Sequence, residues 1–345
     1  MPNYTGIKQI KDKKTRVRVI EGIKALREGL AEQNVPPRSA TDSLLLATWN
    51  IREFDSGKYG WRGPEAYFYI VEILSHFDLI AIQEIRDGLY PLQQVKRALG
   101  SWWDFIVTDV TLGTSGNNER MAYLYDTRKV DFTGLAAEVV IPKARNAHAE
   151  PAQFARSPYL ASFRAGWGYL TLATVHMFYG DDRAIEPRRL QEITDLSTLI
   201  AANAPKLSGA PQYRPGEPPR DGNVLILGDF NIFSNSDATL EAITNAGFIV
   251  PEQLRTVPGT NVAQDKHYDQ IAYFRELANL TAGAAGVFDF YRYVYRLDQE
   301  ADYADVRPAT PKSYKTWRTY QMSDHLPMWM EFGIDDGIAY LNAQR

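Results

Sequence analysis

Apolar residues fall along this chain in short runs that suit buried strands, and several runs end abruptly in polar side chains. Leu44–Thr48, Leu79–Ile82, Phe105–Val107, Met121–Tyr125, Tyr169–Val175, Val224–Leu227, Gln270–Phe274 and Leu326–Phe332 read as strands. A compact apolar run bounded by turn residues fits a strand covered on both faces. Between the runs, apolar residues recur with a helical period over Tyr67–Phe77, Pro91–Leu99, Pro187–Ala202 and Ala238–Ala246. Tyr67, Ile70, Ile73, Leu74 and Phe77 make one face of the first of these helices. Strands interleaved with helices predict sheets covered by helices, an α/β (α+β) class.

The start of the chain has a different pattern. Residues 1–42 read as a basic N-terminal extension carrying one amphipathic helix, and 43–345 as the main domain. Lys8 to Arg18 is basic, and from Ile20 to Gln33 the residues Ile20, Ile23, Leu26 and Leu30 stand near helical spacing. Val35-Pro36-Pro37 ends the helix. The preferred reading is a solvated helix packed on the domain surface. The alternative is a basic arm that touches nucleic acid or another anionic surface. Pro205 to Gly222, rich in proline and glycine, reads as a surface loop.

Composition narrows the class. With 345 residues and 45% hydrophobic content, the chain can bury one large core, and 23% charged residues fit an ordinary globular protein. There are no cysteines, which excludes disulfides, thiolate metal sites and cysteine nucleophiles but leaves the compartment open. No apolar run reaches the roughly 18 residues of a membrane span, and Met1 to Gln9 lacks a signal-peptide core. A soluble monomer is expected, cytoplasmic or exported from a precursor whose leader is removed. The net charge of −4 argues against a generic polyanion binder.

The polar ends of the apolar runs carry the chemistry. They are Thr48-Trp49-Asn50-Ile51-Arg52, Ile82-Gln83-Glu84, Thr174-Val175-His176, Leu227-Gly228-Asp229-Phe230-Asn231 and Met322-Ser323-Asp324-His325. Carboxylates, amides and two histidines at strand ends are the parts needed for metal-assisted cleavage of a phosphate ester. Glu84 ends a buried strand, where a carboxylate is costly unless paired or bound to a cation. Asp229 and Asn231 are two apart, so an extended segment would turn both into one cleft. An Asx turn at the strand end fits the same residues. Of five histidines, His76, His148 and His267 are expected at the surface.

In order and wording, these five segments resemble the endonuclease/exonuclease/phosphatase superfamily, and within it the deoxyribonuclease I branch. The likeness runs from about Leu44 to Phe332 and includes Gln83-Glu84-Ile85-Arg86-Asp87, Glu119-Arg120, Phe154-Ala155-Arg156-Ser157-Pro158 and Ala285-Gly286-Val287-Phe288-Asp289-Phe290. It implies a four-layer sandwich, two packed mixed β-sheets flanked by helices. It implies Mg²⁺ or Mn²⁺ held by Glu84 and Asn50, with Asp324 contributing directly or through water, and it leaves room for a structural Ca²⁺. By the same resemblance His325 acts as general base or holds the phosphate, while His176 protonates the leaving oxygen or stabilises phosphoryl oxygens. Asp269 would orient His325 and Glu119 would orient His176. Asp229 would handle the attacking water and Asn231 a phosphoryl oxygen.

Arg52, Arg86 and Arg156 match arginines that in this branch grip the minor groove, its phosphates and the scissile phosphate, so duplex DNA is the expected partner. The expected activity is a low-specificity DNA endonuclease using in-line attack of water, with no covalent intermediate. The alternatives keep the chemistry and change the ester: an abasic-site or exonuclease III-like repair nuclease, a sphingomyelinase, or an inositol-polyphosphate phosphatase. A non-enzymatic relative would have lost site residues, and none is lost. The chain departs from the branch in two places. Arg296 to Arg318 is longer than the matching stretch. Gly116-Asn117-Asn118 stands where the branch has a stacking tyrosine, and Tyr59, Trp61, Tyr314 and Trp317 are candidates to replace it.

Overall fold

The computed structural model describes residues 2–54, 56, 61–112, 117–143, 152–207, 222–309 and 313–345. Its strands are β1 (Ser43–Phe54), β2 (Leu79–Arg86), β3 (Trp103–Val107), β4 (Glu119–Asp126), β5 (Val130–Glu138), β6 (Tyr159–Ala165), β7 (Gly168–His176), β8 (Asn223–Asp229), β9 (Phe248–Ile249), β10 (Asp269–Phe274), β11 (Thr281–Val287) and β12 (Met328–Gly333). Its helices are α1 (Lys13–Glu32), α2 (Pro64–Leu74), α3 (Tyr90–Leu99), α4 (Pro187–Leu207), α5 (Ala238–Asn245), α6 (Glu252–Arg255), α7 (Tyr314–Gln321) and α8 (Gly337–Ala343).

The strands form two six-stranded sheets, ordered β11-β12-β1-β2-β4-β3 and β5-β6-β7-β8-β10-β9. Each sheet has one parallel pair near its centre, β1 with β2 and β7 with β8, and the remaining pairs are antiparallel. The alternation of β1 explains the layering. Leu44 and Leu46 enter the core between the sheets with Leu79, Leu225 and Leu227, while Leu45, Ala47 and Trp49 join the core under α1, α2 and α3. Both faces of β1 are therefore covered, and its sequence is an apolar run rather than an alternating one. On the other side α4 packs with α5, and Ile193, Leu196 and Ile200 of α4 belong to the core of the second sheet. The result is two mixed sheets face to face, flanked by helices.

Helix α1 starts earlier than the sequence pattern predicts. Asp12 caps it by accepting from Thr15 N at 2.6 Å, and Val19 rather than Ile20 fills the first buried position. Ile20 remains exposed because Ile23, Leu26 and Leu30 set the buried stripe one residue earlier. The helix packs on α2. A Cβ on Gly22 would meet the Tyr69 hydroxyl at 2.2 Å. Arg18 and Arg27 reach over to Glu65 and Glu72 at 2.7 and 2.6 Å.

Strands β5, β6, β9 and β11 and helices α6, α7 and α8 were not legible as elements. β5 is exposed along most of its length, and β11 is built largely of alanine and glycine, which carry little strand preference. Of the proline-rich loop, residues 208–221 lie outside the described residues. The Arg296–Arg318 stretch contributes a 3₁₀ turn over Leu297–Tyr303 and most of α7. Tyr303, Tyr314 and Trp317 are buried in a stack with Tyr295, whose ring lies 4.9 Å from Tyr303. Tyr314 and Trp317 thus pack inward and cannot replace a groove-stacking tyrosine. Trp61 is exposed, and Tyr59 lies outside the described residues. Among the described residues no helix is long and apolar enough to cross a membrane.

Candidate active site

The candidate residues gather at one end of the two sheets, from the C-terminal ends of β2, β7 and β8 and the first residues of β4 and β10. Parallel pairing sets His176 of β7 beside Asp229 of β8, and antiparallel pairing sets Asp269 of β10 on the other side of Asp229. His176, Asp229 and Asp269 therefore stand in one row. The first sheet supplies Asn50 from β1 and Glu84 from β2, and Asn50 Nδ2 bridges the sheets. It donates to Asp229 Oδ2 at 2.9 Å and to Glu84 Oε1 at 3.0 Å.

Two histidines complete the cleft. His176 Nδ1 lies 2.9 Å from Glu119 Oε2, and its Nε2 lies 3.5 Å from Asp229 Oδ2. His325 Nδ1 lies 2.8 Å from Asp269 Oδ2, and its Nε2 lies 3.6 Å from the same Asp229 oxygen. Burial disfavours a charged imidazole, yet Asp269 and Asp229 hold the His325 pKa well above the ordinary histidine value. Burial also opposes ionisation of Glu119, but His176, Arg156 and Arg86 overcome it and bring that carboxyl down to about 2. Glu84 goes the other way, pushed up by burial and then by the negative charge of Glu119.

Three site residues take left-handed backbone: Glu53, Glu84 and Asn231 have φ of 50°, 61° and 53°, a region uncommon for residues other than glycine. Glu53 and Glu84 sit where the β1–β2 register shifts between Asn50 and Phe54. Glu53 N donates to Glu84 Oε2 at 2.8 Å, and the Glu53 carboxylate takes Arg86 at 2.6 Å. Gly228 has φ 130°, and a Cβ there would stand 2.4 Å from Val175 O.

The arginines are near the cleft and each meets a carboxylate. Arg52 contacts Asp324 at 3.1 Å and Thr319 Oγ1 at 2.7 Å, and it lies 4.0 Å over the Tyr320 ring. Arg86 pairs with Glu53, approaches Glu119 at 3.6 Å and donates to Asn117 O. Arg156 is buried and donates to Glu119 Oε2 at 2.6 Å.

Two expectations need correction. Asp229 and Asn231 do not share a face of one extended segment. The left-handed Asn231 closes an Asx turn, its N donating to Asp229 Oδ1 at 2.9 Å, and its side-chain amide turns to Met177 O. His76 and His267 are half-buried rather than surface residues, and His148 lies outside the described residues.

Sequence reasoning missed Glu53 and Tyr268, and it quoted Gln83 within a motif without giving it a role. Gln83 ties Thr48 to Thr174 across the sheets, and the Tyr268 ring lies 5.4 Å from that of His325. Glu53 gave no signal, because alternation past Arg52 would place it on the opposite face and only its positive φ brings it back. Tyr268 could have been found from its place directly before Asp269.

Comparison with known proteins shows the family and the fold. Residues 47–296 match the family described as Endonuclease/Exonuclease/phosphatase family. A protein named "Deoxyribonuclease" from Thioalkalivibrio sp. (strain K90mix) is 27% identical over 304 residues, 86% of this chain and 73% of that protein. Among solved structures, the Bacteroides thetaiotaomicron VPI-5482 mannosyl-6-phosphatase Bt3783 superposes with a TM-score of 0.55 at 17% identity, covering 84% of this chain and 99% of that one. D. rerio TDP2 complexed with single strand DNA product does so with a TM-score of 0.53 at 17% identity, covering 84% and 98%. At these identities the solved structures speak for the fold alone.

Proposed function

The chain belongs to the endonuclease/exonuclease/phosphatase family, and from that premise we propose that it is a divalent-metal-dependent DNA endonuclease of low sequence specificity. Members of the family are hydrolases acting on phosphoester bonds. The observation that carries the reading is the convergence of Asn50 Nδ2, His176 Nε2 and His325 Nε2 on Asp229 Oδ2. The two histidine separations exceed good hydrogen-bond length, so neither Nε2 is committed to Asp229 and both stay available to a bound phosphate.

The residues fit a hard divalent cation. Asn50 Oδ1 is buried with no hydrogen-bond partner, which costs about 1–3 kcal/mol unless relieved. It sits on the same amide that touches Glu84. Among the described residues no three His, Asp or Glu side chains form a metal cage. Mg²⁺ suits such a sparse set, because it keeps several waters and takes few carboxylates. Asn50 and Glu84 would hold it, with Asp324 contributing directly or through water. When bound, it would draw charge from a phosphoryl oxygen.

The chain's own groups divide the remaining work. Asp229 orients the water and takes its proton as the new P–O bond forms. His176, steadied at Nδ1 by the ionised Glu119, gives its Nε2 proton to the leaving oxygen as the old P–O bond breaks. His325 has a carboxylate at each ring nitrogen, the setting of a donor, and this assigns it to gripping the phosphate. Asn231 spends one amide hydrogen on Met177, so its part is to hold the Asp229 turn and offer what remains to a phosphoryl oxygen. On this reading the two histidines and Asp229 do acid–base and phosphate-holding work rather than attack phosphorus, so no protein–phosphate adduct is expected.

Arg52, Arg86 and Arg156 favour DNA among phosphate esters, since arginine grips backbone phosphates and narrow grooves without reading bases. The relative named deoxyribonuclease supports the same substrate. A panel of duplex DNA, abasic DNA, RNA and phosphocholine esters, each with Mg²⁺, Mn²⁺ and EDTA, tests the reading. Metal-dependent turnover highest on duplex DNA is expected. Turnover confined to another ester would replace DNA and leave the site assignment in place.

A further inference from the structure

Arg62 has no place in the chemistry above, yet it is buried and surrounded by main-chain carbonyls. Its Nε donates to Gln321 O at 3.1 Å, its Nη1 to Glu53 O at 3.0 Å, and its Nη2 to Met322 O at 3.3 Å and to Arg52 O. These carbonyls belong to two distant segments. Arg52 and Glu53 end β1, whereas Gln321 and Met322 close α7 and lead into Ser323-Asp324-His325. One guanidinium thus spans the seam between the segments that bring in Arg52 and His325.

The rest of the seam follows the same plan. Gly63 N, next along from Arg62, donates to Gln321 Oε1 at 3.0 Å. Ser323 Oγ donates to Asn50 O at 2.6 Å and accepts from Arg52 N and His325 N at 3.2 and 3.0 Å. Trp49 Nε1 donates to His325 O at 2.9 Å. Glu53 is held at three points: its N–H by Glu84, its carboxylate by Arg86 and its carbonyl by Arg62 together with Ser56 N.

We propose that Arg62 is a positioning residue that fixes the Arg52–Glu53 turn against the Ser323–His325 segment and so sets the Arg52 and His325 side of the cleft. The inference rests on the reading of this cleft as the catalytic site. Buried carbonyls need donors, and a planar fork of five N–H groups can serve four of them at once. Lysine offers three donors on a single point and cannot span them. The left-handed Glu53 is strained, and the surrounding contacts, Arg62 among them, keep it in place.

The test compares Arg62→Lys and Arg62→Met with the wild type in two ways. The first is kinetics on duplex DNA with Mg²⁺. At least a tenfold fall in kcat is expected together with at least a threefold rise in KM, because both His325 and Arg52 lose their register. A merely structural role would lower apparent kcat through loss of folded protein and leave KM alone. The second needs no substrate: the Nδ1–H resonance of His325 in protein labelled with ¹⁵N-histidine. It is expected to shift or broaden in folded Arg62→Lys, because the Asp269–His325 contact loosens. It stays readable even if DNA is the wrong ester, so the two readings fail separately. A folded Arg62→Lys with unchanged resonance and kinetics within twofold of wild type would overturn the proposal. Loss of the fold in both variants would also overturn it, by making the clamp a requirement of folding rather than of the cleft.

Discussion

His176 and His325 approach one oxygen, Asp229 Oδ2, at 3.5 and 3.6 Å. The first ends a strand of one sheet, and the second precedes a strand of the other. Asp229→Asn keeps the shape and removes the charge that both imidazoles face. A fall in kcat of about 10²–10⁴ is expected, with KM changed by less than about threefold. Steady-state kinetics on duplex DNA checks this.

Glu119 joins His176, Arg156 and Arg86. Glu119→Gln leaves the buried Arg156 without its counter-charge, and breaking such a pair costs about 3–5 kcal/mol. A loss of stability of that order in urea denaturation is expected, along with a loss of activity.

Arg52 and Arg86 are proposed to grip phosphates, and each such contact releases counterions. Arg52→Ala and Arg86→Ala are each expected to raise KM for DNA. Each should lower the slope of log(kcat/KM) against log salt by about 1. An unchanged slope would remove that arginine from the DNA contact.

The acid limb of stability has a named contributor. Burial would raise the Asp126 carboxyl, but Arg128 and Arg38 outweigh it and bring it down to about 2 from the usual 3.8. Its folded pKa is the lower one, so the stabilisation is present above about pH 4 and is lost as pH falls toward 2. In Asp126→Asn, melting temperature should be lower at neutral pH and fall less steeply between pH 4 and 2.

Much of the fold was legible because its central strands are covered on both faces. β1, β2, β7 and β8 appear as apolar runs that end in functional side chains. Of the four edge strands only β3 was legible, over Phe105–Val107; β5 is exposed, β9 is two residues long and β11 is built from small residues. The site followed a similar division. Asn50, Glu84, His176, Asp229 and His325 lie where strand ends deliver them, so motif and structure coincide. Glu53 depends on left-handed backbone, and a glutamate gives no sequence sign of that. Arg62 depends on a seam between positions some 260 apart in sequence. Gly228 is the converse case: its φ of 130° and the nearby Val175 carbonyl show why glycine precedes Asp229.

The most direct measurement is plasmid nicking by the purified protein in Mg²⁺, Mn²⁺ and EDTA, beside His325→Ala. The account predicts conversion of supercoiled to open-circular DNA that needs both the cation and His325. A folded protein that leaves the plasmid intact in every metal, or that nicks it equally well in EDTA or without His325, would contradict it.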